Sequence, residues 1–230
     1  MCGRFSLGAS DAEILAEFKA AREQAEEHQK RFNIAPSQII VAVRQIESER
    51  ILSGLKWGLI PSWAKSADIG NKMINARAET ITEKPSYKNA FRSRRCLIPA
   101  SGFFEWQRTG DKGAKQPFYF YLKNKPVFGF AGLWESWTDK ETGEETESCT
   151  IITTEANEVL EPVHDRMPVI IKPEDYELWL DEKVKDTGKL EKLLAPYPAE
   201  QMASHPVSRQ VNSPSFDDEE LIKRAEYNSK

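Results

Sequence analysis

Met1-Cys2-Gly3-Arg4-Phe5 is the stretch with the most unusual chemistry in the chain. A small second residue favours removal of the initiator Met, which leaves Cys2 with an α-amine and a thiol on adjacent carbons. Such a 1,2-aminothiol captures an aldehyde as an imine and then closes its sulfur onto the same carbon, giving a thiazolidine ring. An internal cysteine cannot do this. Reference pKa values of about 7.7–8.0 for the amine and about 8.5 for the thiol leave part of each nucleophilic near neutrality. Gly3 lets the backbone come close to a ligand, and Arg4 offers a planar fork for phosphate. The plain alternative is a cysteine placed there only because it suits Met removal.

Three further segments hold side chains of the right type. In Asn75-Ala76-Arg77-Ala78-Glu79, Asn75 offers donor and acceptor on one amide, and Arg77 points to the same side of an extended chain. Together they can hold a phosphate beside an attacking group, although a turn Asn with a solvated Arg reads equally well. Ser101-Gly102-Phe103-Phe104-Glu105-Trp106 puts a carboxylate inside an aromatic run. If buried, Glu105 has a raised pKa and serves as general acid and base, with Trp106 as a stacking face; on an edge strand it simply meets water. His164-Asp165-Arg166 combines a proton shuttle with a phosphate clamp, or else a structural histidine. His205-Pro206-Val207-Ser208 reads as structural.

The elements that must position these groups fit one domain of 230 residues with 40% hydrophobic and 30% charged residues. No apolar run reaches the roughly 20 residues of a membrane span, so a soluble chain is expected. Three unpatterned cysteines (Cys2, Cys96, Cys149) indicate a reducing cytosol, and three scattered histidines (His28, His164, His205) argue against a metal. No cofactor is expected, and nothing suggests anything but a monomer. Net charge is −4, but it is unevenly spread. Residues 72–96 carry seven basic and two acidic side chains, residues 139–161 one basic and eight acidic, which allows a basic groove on an acidic body.

Ser10-Asp11-Ala12-Glu13 is a capping box that predicts a helix from residue 11 to about 29. Residues 31–36 read as a loop, 38–44 and 51–59 as strands joined by a turn, and 72–74 as a short strand entering a turn. Short strands follow at 95–98, 102–107, 117–122, 127–133 and 149–153, with an acidic loop at 138–147. Helical signals return at 155–160, 173–180 and 190–194. The expectation is an α+β single domain, a curved, mostly antiparallel sheet or barrel-like core with peripheral helices over 1–214, and a loosely held polar tail at 215–230.

Taken together the chain resembles the SOS-response-associated peptidase (SRAP) family of abasic-site-capturing proteins. The resemblance rests on the segments quoted above together with Arg31-Phe32-Asn33-Ile34-Ala35-Pro36 and Trp57-Gly58-Leu59-Ile60-Pro61, in order along residues 1 to about 212. It implies a covalent trap for abasic sites in single-stranded DNA, acting in the cytoplasm or on the nucleoid. By the same resemblance Cys2 is the nucleophile, Asn75 positions its main chain, Glu105 transfers protons and His164 helps open the sugar. Arg4, Arg77 and Arg166 would hold phosphates, with Trp63 and Trp106 packing on flanking nucleotides. A hydrolase with Cys2 as N-terminal nucleophile, including self-removal of Met1, is the second reading, and a non-catalytic single-strand-binding module the third.

Overall fold

The computed structural model describes residues 2–22, 28–109 and 114–226. In chain order the strands are β1 Phe5–Leu7, β2 Ala21–Arg22, β3 Arg31–Ile34, β4 Ile39–Ile46, β5 Glu49–Trp57, β6 Asn75–Arg77 and β7 Arg95–Ala100. They continue as β8 Gly102–Thr109, β9 Ala114–Leu122, β10 Phe128–Thr138, β11 Glu145–Glu155, β12 Arg166–Pro168, β13 Ile170–Ile171 and β14 Met202–Pro206. The α-helices are α1 Asp11–Phe18, α2 Lys88–Ser93, α3 Tyr176–Leu180 and α4 Thr187–Glu191.

Five of these strands close on themselves. β5, β4, β7, β10 and β11 are neighbours by antiparallel pairing, and β11 returns to β5 through a parallel register that sets Ser148 beside Lys56 and Cys149 beside Trp57. The ring is a mixed five-stranded barrel, the α+β barrel-like core expected from the strand spacing. Closure leaves these strands no free edges, and β6 is laid in parallel along β11. A second sheet, in the order β14-β9-β8-β1-β3, packs on the barrel.

Aromatic rings join the two layers. Phe5 of β1 meets Trp57 edge-on at 5.3 Å and Phe130 at 5.8 Å, and Phe103 of β8 meets Phe130 edge-on at 6.0 Å. Each fully buried ring of this kind contributes roughly 1.5–3 kcal/mol, so anchoring β1 here fixes the residues that precede it. Gly102 is required at this junction, since a Cβ there would collide with the Tyr119 ring and hydroxyl. Gly58, just past β5, has φ +133 and faces the Gly70 carbonyl, so no larger residue fits.

Several elements differ from expectation for local reasons. The capping box is present, with Ser10 accepting from the Glu13 amide and Glu13 reaching back, and Ile14 and Phe18 turn inward one turn apart. The helix stops at Lys19, which adopts φ 49 while the Ala20 amide donates to the Leu15 carbonyl. The chain then enters β2 beside β5. Of the remaining stretch predicted as helix, residues 23–27 lie outside the described residues. Residues 31–34 form a strand rather than a loop because β1 pairs with them, and 75–77 form a strand beside β11. Residues 157–164 make turns instead of a helix, although the Asn157 carboxamide oxygen accepts from the amides of Val159 and Leu160 as an N-cap would.

The segment after Pro214 is docked as far as it is described. Asp217 accepts from the amides of Phe32 and Asn33 on edge strand β3, Leu221 is buried against Phe104 and Tyr119, and the Ala225 amide donates to the Pro206 carbonyl. It crosses the outer face of the second sheet and covers apolar residues that would otherwise meet water.

Candidate active site at the N-terminal strand

Residues 2–4 extend β1 along the start of β8. The register pairs Phe5 with Phe103, and the Phe104 amide donates to the Arg4 carbonyl at 3.0 Å, which directs Gly3 and Cys2 toward Glu105. Cys2 is fully buried. Its carbonyl accepts from Asn75 Nδ2 at 2.9 Å. Asn75 is itself held where β6 begins: Tyr87 donates its hydroxyl to the Asn75 carbonyl, and the Trp57 indole donates to the preceding Ile74 carbonyl. Asn75 Oδ1, on the same amide that grips Cys2, is buried without a hydrogen-bond partner among the described residues.

Glu105 has 3% of its surface exposed, so it is not the solvated edge residue that one reading of its strand allowed. Burial pushes its carboxyl up to about 7, and the charge of Asp165 acts in the same direction. The Cys2 thiol is pushed far up, first by burial and then by the charge of Glu105. Burial in this fold thus opposes the part-ionised thiol expected of the free aminothiol and favours the protonated sulfur, with a carboxyl that titrates near neutrality within electrostatic reach.

His164 is on the turn following β11. Its Nδ1 accepts the Arg166 amide at 3.0 Å, with Asp165 Oδ1 at the same distance, and burial holds the imidazole below its usual pKa. A ring in this orientation is neutral at physiological pH and presents Nε2 on its opposite side.

The cationic residues divide into committed and open ones. Arg4 donates to Asn33 Oδ1 at 2.7 Å and to the carbonyls of Val211 and Asn212, tying the N-terminal strand to the end of the chain. Arg166 makes a fork–fork pair with Glu79 and also donates to the Thr153 carbonyl. Arg94 pairs with Glu135, and Arg95 is buried on the carbonyls of Phe91 and Trp179, so both leave the basic surface that the charge count suggested. Arg77 is exposed. Trp63 is 58% exposed, and Trp106 is half-buried with its indole donating to Asn212 Oδ1. His205 contacts the Ile222 carbonyl through Nε2 and has the structural place expected of it.

One residue of the site region carried no assigned role in the sequence. Asn33 is fully buried; it accepts from Arg4 and donates to the carbonyls of Val211, Ser213 and Phe216. An Asn between Phe32 and Ile34 was the available signal, because a carboxamide buried in a strand must find partners.

A thiol near the N-terminus, a carboxyl raised toward neutrality and an amide that holds the Cys2 carbonyl thus meet in one place. The chain belongs to the SOS response associated peptidase (SRAP) family, whose model matches residues 1–214. It is 46% identical over 223 residues to abasic site processing protein YoqW of Bacillus subtilis, covering 96% of this chain and 99% of that one. Identity to abasic site processing protein YedK of Escherichia coli is 31% over 230 residues, with 96% and 99% covered. A crystal structure of a Bacteroides thetaiotaomicron protein superposes with a TM-score of 0.86 at 29% identity, covering 97% of this chain and all of that one. No described helix is long and apolar enough to cross a membrane.

Proposed function

We propose that this protein captures abasic sites in single-stranded DNA covalently, through the Cys2 aminothiol exposed when Met1 is removed. The observation that carries the reading is the buried Cys2, its carbonyl held by Asn75 and its thiol under the charge of Glu105, a carboxyl titrating near 7. The abasic-site names of the relatives point the same way.

An abasic sugar opens to an aldehyde, and the free α-amine adds to its carbon. The resulting hemiaminal loses water to give an imine, for which Glu105 in its protonated form supplies the proton that departs with the hydroxyl. The thiol then adds to the imine carbon; a sulfur–carbon bond forms, and the sulfur's proton passes by way of Glu105 to nitrogen. Asn75 fixes the Cys2 main chain, and its unpartnered Oδ1 can accept from the new amine. Holding amine, thiol and aldehyde together makes ring closure effectively unimolecular. His164 assists opening of the sugar, and exposed Arg77 and Trp63 supply phosphate and stacking contacts to a single strand, which needs no base flipping.

The test is denaturing electrophoresis and intact-mass analysis of the mature protein with single-stranded DNA carrying one abasic site. The expected product is a heat-stable adduct of protein plus DNA minus one water, formed without reductant and absent for Cys2→Ala. A processed wild-type chain that yields no adduct sinks the reading.

A further inference from the structure

Past Glu105, β8 runs on into a cleft of which the capture chemistry uses His164 alone. Trp106, Gln107 and Arg108 line it with Lys115 of β9 and residues 162–165, and Gln107 donates to the Pro162 carbonyl at 3.0 Å. The register sets Arg108 directly opposite Lys115, and Trp106 shares their face because alternate strand residues point the same way. Two like charges directly opposite on neighbouring strands destabilise a sheet, and their Cβ atoms lie about 5 Å apart. Both side chains are exposed, and neither has a hydrogen bond or ion pair to a described residue. The carboxylate among the lining residues, Asp165, lies against His164 Nδ1 instead. A pair arranged at a cost in stability, beside an aromatic ring fixed by Asn212, has the form of an anion seat.

The cleft is also at the right place. Arg108 is three residues beyond Glu105, about 10 Å along an extended strand. The charge of Lys115 reaches His164 across the cleft, and that of Asp165 reaches Glu105. We propose that Arg108 and Lys115, beside the Trp106 ring, form a phosphate subsite that holds the DNA backbone flanking the captured nucleotide. The subsite rests on the strand-binding part of the function proposed above and is independent of the covalent step.

The probe is a single strand bearing a tetrahydrofuran abasic analogue, which cannot open to an aldehyde, so binding is read without capture. Affinity is measured against salt for wild type and for Arg108→Ala/Lys115→Ala. The expected result is a log–log salt slope shallower by about 0.7, the loss of one phosphate contact on a single strand. A second strand carries one neutral methylphosphonate linkage flanking the analogue, scanned on either side. At one position it should weaken wild type as the double variant does and add nothing to the double variant. Arg108→Lys should keep the wild-type slope. An unchanged slope in the double variant, or additive losses at every linkage, overturns the subsite. Such a failure is distinguishable from failure of the adduct test: a true abasic strand still crosslinked by the double variant at saturating DNA leaves the capture reading intact.

Discussion

The molecule buries its thiols in two settings that differ in their neighbours. Cys96 and Cys149 lie on β7 and β11, inside the barrel, on either side of β10. Burial pushes Cys96 up to about 12 and Cys149 well above its ordinary value. Cys2 is as inaccessible as they are, and burial raises it too. Glu105 and Asn75 make the difference: one is a carboxyl that can take or give a proton near neutrality, the other an amide that fixes the backbone. The barrel cysteines feel only the distant charge of Arg44 and each other. In the capture proposed above, reactivity would follow from a partner with a matched pKa, not from an exposed sulfur or from a depressed thiol pKa.

That contrast can be broken most sharply by exchanging cysteines. Cys2→Ala should abolish the adduct, while Cys96→Ala leaves capture within about twofold at matched folded protein; equal losses from both, read on denaturing gels, would erase the distinction. Glu105→Gln should slow capture by roughly 10²–10³-fold and remove an inflection near pH 7 from the rate profile, since general acid–base catalysis is worth that much. Single-turnover rates across pH 5–9 report it.

Glu105 also leaves a mark on stability. Its carboxyl is more acidic unfolded (4.5) than folded (about 7), so between these values the unfolded chain binds fewer protons. Stability therefore falls as pH rises through that window, by roughly 3 kcal/mol as an upper bound, and Glu105→Gln should flatten the dependence. Denaturant titrations at pH 4.5 and 8 measure this. Cys149→Ser buries a hydroxyl in an apolar barrel and should cost about 1–3 kcal/mol in the same titrations with capture unaltered, which marks the barrel thiols as packing groups. The smallest effect is that of Arg77→Ala, which should make the salt slope of single-strand binding shallower by about 0.7.

The parts of this arrangement that were legible in the sequence were the local ones. Ser10 and Glu13 mark the start of α1 through a motif four residues long, and Glu105 within its aromatic run invites the burial it has. The end of α1 was not legible, because a left-handed Lys19 carries no glycine signal and β2 is called into being by β5, far along the chain. Residues 31–34 and 75–77 are strands because of partners in β1 and β11 rather than by their own propensity. Which arginines remain open is likewise a tertiary matter. Glu79 engages Arg166 and Asn33 engages Arg4 only once distant segments meet, so the motifs alone show Arg4, Arg77 and Arg166 on equal standing where the fold commits two of the three.

The Arg4 clamp has a consequence for how the protein is made. Chains emerge from the ribosome N-terminus first and domains fold as units. Cys2 and Arg4 thus appear early, whereas Glu105 follows much later, and the carbonyls of Val211 and Asn212 that hold Arg4 come near the finish. A short nascent chain carries Cys2 before any of the groups that position it. The N-terminal strand is therefore clamped only when synthesis has delivered residues 211 and 212, so the geometry around Cys2 is completed late.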